Sequence, residues 1–168
     1  MILTKDELLK SLQNEVRVLL HLASKVEPGM LDYRPTARQR SMLELLQYMA
    51  IMGPIHLRGT VANAFDMEAW RSAWTEGEAA SKAMNLEQAK DAIAKQPALF
   101  AALLDSCSDT DFRAEIEMFG SKASRGSWIV SLVLSHFAAY RMQLFLYLKS
   151  CGREELNTMN LWVGMDAA

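Results

Sequence analysis

The stretch from Trp128 to Leu148 constrains this chain more than any other part of it. Its only strongly polar side chains are Ser131, Ser135, His136, Arg141 and Gln143. A helix apolar nearly all round must cross a bilayer or be enclosed by the rest of its own protein. A charge near the bilayer centre costs about 2.5–3.5 kcal/mol even on the lenient insertion scale, and His136 and Gln143 add to that. The expectation is therefore a helix buried on most sides by protein, with no membrane partner. The chain has 168 residues, 51% apolar and 23% charged, enough to supply that cover as one domain over 1–168 without a disulfide or metal.

The rest of the sequence repeats at helical spacing, and no run alternates convincingly with period two. A first helix starts after Thr4, with Glu7 placed to close a capping box. Its stripe is Leu8, Leu12, Val16, Leu19, Leu22, Ala23 and Val26, and Pro28-Gly29 ends it. Met30 to Arg40 reads as an ordered connector. A second helix starts near Ser41, with Glu44 completing another capping box, and Gly53-Pro54 predicts a kink before it resumes through Ile55 to Phe65. Asp66 to Met84 reads as a long connection with one irregular turn. A third helix starts at Asn85, runs through Leu104 and bends at Pro97. Phe112 to Arg125 is a second connection. The fourth helix covers about Ser127 to Ser150 and stops at Gly152, a left-handed cap. The tail from Arg153, with Leu156, Leu161, Trp162 and Val163, packs back on the body. Four helices joined by unequal loops describe an all-α four-helix bundle with long inter-helix connections.

Charge and cysteine usage exclude some classes of function. The net charge of −2 argues against a general nucleic-acid binder, although one local arginine suffices for an anionic small ligand. Cys107 and Cys151 form no CxxC pair and no zinc site, which points to a reducing compartment, the cytoplasm. The first residues reach charge at once, with no apolar signal core. The sequence has no glycine-rich phosphate loop and no nucleophile elbow. The eleven methionines, among them Met42, Met49, Met52 and Met142, read as core filling.

The candidate chemistry lies on the fourth helix. His136, Tyr140, Gln143 and Tyr147 recur at steps of four, three and four and share one face. Such a stripe lines a cavity inside the bundle or consists of core residues with satisfied hydrogen bonds. Arg141 reads as one half of a structural salt bridge, with Glu15, Glu44 and Asp32 as the candidate partners.

Two segments carry a resemblance. Leu31-Asp32-Tyr33-Arg34-Pro35 followed by Ser41 to Met49, and His136-Phe137-Ala138-Ala139-Tyr140-Arg141-Met142-Gln143-Leu144, resemble the DinB-like (DinB/YfiT) four-helix bundles over about residues 5–150. The resemblance implies a divalent metal on three histidines, one from the second helix in an LLxHL setting and two from the fourth as HxxxHRxQ. It also implies, for some members, thiol transfer or hydrolysis of small thiol conjugates. Here Tyr48, His136 and Tyr140 stand at those three positions, so His136 is the only retained ligand. A phenol with a pKa near 10 is a poor ligand for zinc or nickel at neutral pH. His56, two turns beyond Tyr48, lies roughly 12 Å along the axis, too far to replace it, and His21 sits on the flank of the first helix.

The expectation is accordingly no cofactor and no catalytic residue. The ligand pocket is formed by Tyr48, His136, Tyr140 and Gln143, and the chain acts as a binding or structural module. The alternative is a diverged hydrolase or thiol transferase dependent on zinc or nickel. Phe137, Leu144, Phe145 and Leu148 lie away from the His136 face and predict a homodimer through the fourth helix, as the resemblance also implies.

Overall fold

The computed structural model describes residues 3–166. The caps fix the helix starts as the sequence dictates. Thr4 and Glu7 close a capping box on α1 (Lys5–Ala23), and Ser41 and Glu44 close one on α2 (Met42–Val61). A short 3-10 turn, Pro28–Met30, opens the connector between them. The connector is pinned to the start of α2 where Met42 N–H donates to Tyr33 and Leu43 N–H to Leu31.

Pro54 does not break α2, which runs through it without interruption. The backbone acceptor freed by proline finds a substitute donor. The side-chain amide of Gln96 donates to the carbonyls of Met49 (2.9 Å) and Ala50 (3.0 Å). Gly53 makes the close approach possible. A Cβ there would lie 2.8 Å from Gln96 and from the Phe100 ring, and 2.9 Å from Phe137.

Asp66 to Met84 departs most from expectation. Instead of a connection it holds a 16-residue helix, α3 (Met67–Lys82), capped by Asp66, whose Oδ1 accepts from Glu68 and Ala69 N–H. Its exposed Ala, Ser and Glu content hides the period. Only Trp70, Trp74, Gly77 and Ser81, at steps of four, three and four, turn toward α2. Gly77 lets the two helices touch, since a Cβ there would meet Ile55 at 3.0 Å.

The third helix is two, α4 (Leu86–Ala94) and α5 (Gln96–Asp105), with Pro97 in the first turn of α5, where its missing N–H costs nothing. A short α6 (Asp109–Arg113) follows. Then comes an antiparallel hairpin, β1 (Glu115–Met118) and β2 (Ser121–Ser124), with Glu115 opposite Ser124 and Met118 opposite Ser121. The period-two signal is too short to see in the sequence, but the turn is explicit. Phe119 and Gly120 both take positive φ, 52° and 76°, as a two-residue primed turn requires.

The fourth helix is continuous over Arg125–Ser150. It consists of α7 (Arg125–Ile129), one π turn (Val130–Leu134) and α8 (Ser135–Ser150). By length and composition it could cross a membrane, with a mean hydropathy of 1.4. Here it packs on α1 and α2, and Ile129, Val133, Phe137, Leu144 and Leu148 are buried in the chain's own core. It is not enclosed on most sides as expected. Ser127, Ser131, Ser135 and Ala139 form an exposed stripe of small side chains. The same burial removes Phe137, Leu144 and Leu148 from the face proposed for a partner.

Gly152, at φ 93°, ends α8. The tail returns along α1 through a π turn, Met159–Val163. Arg141 holds it there. Arg141 is 2% exposed, and its guanidinium donates to Glu15 at 2.8 and 3.3 Å and to the Leu161 carbonyl and lies 4.9 Å from the Trp162 ring. Of the three candidate partners of Arg141, Glu15 is the one used.

Candidate functional site

The π turn ends at Leu134, two residues before His136. It leaves the Val130 carbonyl with two donors from Ser135, the backbone N–H and the hydroxyl at 3.0 Å. A π bulge inserts one residue into the helical register and re-aims the side chains that follow, and such bulges are frequent at functional sites. The side chains re-aimed here are His136 and Tyr140.

Tyr48 of α2 meets Tyr140 edge to face, with centroids 4.9 Å apart. His136 and Tyr140 are stacked at 6.1 Å. The three positions named from sequence therefore come together. Tyr48 also borders an open cleft.

Gln143 does not line this site. Its amide donates to the Tyr147 hydroxyl (2.5 Å), which in turn donates to the Arg40 carbonyl (3.1 Å). It positions the connector, because helix twist carries the stripe from the aromatic cluster toward residues 33–40 as it ascends. Tyr33 packs against the same Tyr147 ring at 5.4 Å.

Sequence reasoning missed three members of the cluster. His56 stacks against His136 at 5.3 Å. Trp74 stacks on Tyr48 at 5.6 Å and meets His56 at 5.3 Å, and Trp70 lies 5.8 Å from both His56 and Trp74. Beyond Trp70 the contacts continue to Phe65 and to Phe119 of the hairpin turn, which reaches Trp128. The distance from His56 to Tyr48 along α2 was irrelevant, because His56 is met by a side chain from another helix. Trp70 and Trp74 stand alone in a segment of mostly exposed small and charged residues, which gives them no visible helical period.

Burial dominates the electrostatics. His56 is 5% exposed, and desolvation, helped by the neighbouring His136, pushes its imidazole down to about 4. It is neutral at pH 7. Burial, reinforced by Tyr140, holds the Tyr48 phenol well above its ordinary value, so it too stays protonated. Four nitrogens in the cluster are buried with no partner among the described residues: His56 Nδ1, His136 Nδ1, Trp70 Nε1 and Trp74 Nε1. Such groups cost about 1–3 kcal/mol each when left unsatisfied, a burden native cores seldom carry without reason.

The three positions do not offer a divalent ion what three histidines would. One imidazole and two phenols are a poor donor set. Among the described residues no three His, Cys, Asp or Glu side chains converge as ligands.

Tyr48 forms part of the floor of a cleft of about 570 Å³ between the connector and α3, lined also by Arg34, Arg38, Arg40, Ser81 and Lys82. The Arg40 guanidinium lies 4.0 Å over the Tyr48 ring. Arg34 is paired with Glu44 at 3.3 Å.

Residues 1–165 match the family model described as the DinB family. Two solved structures share the fold. One is a DinB-like protein from Bacillus subtilis, with TM-score 0.68 and 16% identity, covering 90% of this chain and 95% of that one. The other is a protein assigned to the DinB family from Exiguobacterium sibiricum, with TM-score 0.69 and 21% identity, covering 92% and 96%. No curated protein matches.

Proposed function

The chain belongs to the DinB family, and from that membership we propose that it is a metal-free binding module whose site is the Tyr48, Tyr140 and His136 cluster, extended by His56 and opening at the Tyr48 cleft. One observation carries the reading. The side chain at the second-helix ligand position is the phenol of Tyr48, and it borders a cleft of about 570 Å³. A protonated phenol serves a binding surface as a hydrogen-bonding aromatic floor and serves a zinc or nickel ion poorly.

A second reading, a diverged metal-dependent hydrolase or thiol transferase, draws on the facing imidazoles of His56 and His136. Metal analysis of gently purified protein separates the two. The binding module predicts no stoichiometric zinc, nickel or iron. Stoichiometric metal that disappears in His136→Ala would overturn it. The double variant Tyr48→His, Tyr140→His should gain divalent-metal affinity, because it restores three imidazoles at the family positions. No gain in a folded double variant would mean that these positions do not correspond to the family's ligands.

A further inference from the structure

We infer that the cleft beside Tyr48 binds a small-molecule oxyanion, a phosphate or carboxylate group gripped by Arg38, Arg40 and Lys82; this rests on the binding-module reading and names its ligand chemistry. Elsewhere about half of the cations find partners, and those without one among the described residues, such as Arg58, Arg71 and Arg113, do not gather at this cleft. Lys25, Lys90, Arg141 and Arg153 meet carboxylates, and Lys5, Arg17 and Arg125 donate to carbonyls. The side chains of Arg38, Arg40 and Lys82 have no carboxylate or carbonyl partner among the described residues, yet all three border one cleft. In a chain of net charge −2 this cleft is locally positive, with four cations against the three carboxylates of Asp32, Glu44 and Glu78. One of those carboxylates, Glu44, is already engaged by Arg34.

Geometry adds to the charge. Arg40 is not free to swing away at its root, because its carbonyl accepts from Tyr147, which Gln143 holds in turn. Its planar guanidinium lies on the Tyr48 ring, which orients the fork and leaves its N–H edges for a bidentate acceptor. Trp74 backs the far side of Tyr48, so the floor is stiff. Asp32 and Glu78, without ion partners of their own, limit how much negative charge fits and leave acceptors for donor groups on the rest of the ligand.

Isothermal titration at low ionic strength with inorganic pyrophosphate in one arm and citrate in the other tests this and separates the two oxyanion sources. Saturable one-to-one binding in at least one arm is expected, weakening as sodium chloride is added. Arg38→Gln and Lys82→Gln should each weaken it about tenfold, the usual scale for losing one charge-assisted hydrogen bond. Glu78→Gln should tighten it, and Arg113→Gln, away from the cleft, should leave it unchanged. The substituted side chains of the cleft border solvent, so circular dichroism of each variant should match the parent. Absence of saturable binding in both arms overturns the inference, as does unchanged affinity in the Arg38→Gln, Lys82→Gln double variant. Metal content is measured on the same samples. Bound metal together with Arg38-dependent pyrophosphate binding would reject the metal-free reading and keep the oxyanion site, whereas no metal and no binding would do the reverse.

Discussion

His56 shows how much one buried side chain sets the behaviour of the cluster. The unfolded chain takes up the imidazole proton near pH 6.5, the folded chain only at about 4. The unfolded state thus binds more protons between those values. The stability linked to His56 is fully present above pH 6.5 and is lost as pH falls toward 4, roughly 3 kcal/mol in all. Unfolding free energies measured by urea denaturation across that window should fall less steeply in His56→Leu than in the parent, and equal slopes would refute the burial argument. Tyr48, Tyr140 and His136 were legible as one cluster because the order of the motifs that resemble the family names them. His56 was not, because its proximity to His136 is a tertiary fact that no spacing along α2 encodes.

Among the elements, α2 carries the clearest compensation. Proline within a helix normally costs about 3 kcal/mol, partly through the acceptor it leaves behind. Gln96 meets that acceptor, and Gly53 makes room. Gly53→Ala would gain about 1 kcal/mol of helix propensity yet force Phe100, Phe137 and Gln96 apart, so a net loss of about 1–2 kcal/mol in unfolding free energy, measured by urea denaturation, is expected. Gln96→Leu should cost about 1–3 kcal/mol by orphaning the Ala50 carbonyl. The caps at Thr4, Ser41 and Asn85 and the stripe of α1 could be read directly, since both are local. Two elements could not. α3 offers a narrow inward face beneath a polar exterior, and the hairpin has strands of four residues, too few for alternation to stand out.

For the molecule as a whole, the Arg141–Glu15 pair ties α8, α1 and the tail into one unit. Glu15→Ala leaves a buried guanidinium uncompensated and should cost about 3–5 kcal/mol, whereas replacing both partners with apolar residues should cost far less. Hydrogen exchange over residues 156–166 should rise in the single variant, because the Leu161 carbonyl shares the same guanidinium. A homodimer through the fourth helix remains our proposal, but of the four side chains that the sequence suggested only Phe145 keeps partial exposure. Leu146 on α8 and Trp162 in the tail are 54% and 57% exposed, whereas Phe137, Leu144 and Leu148 are spent on the core. Sedimentation should show a dimer in the parent and a monomer in Leu146→Glu. A monomeric parent would dismiss the dimer.

The chain of rings that runs from the hairpin turn through Trp70 and Trp74 to Tyr48 also gives the protein a built-in optical signature. Three of its four indoles, Trp70, Trp74 and Trp128, stand within about 6 Å of another aromatic ring, while the fourth lies on the surface. Near-ultraviolet dichroism should therefore be strong and dominated by coupled transitions of the interior rings. Any molecule that slides between Tyr48 and Arg40 would announce itself there before an assay for it exists.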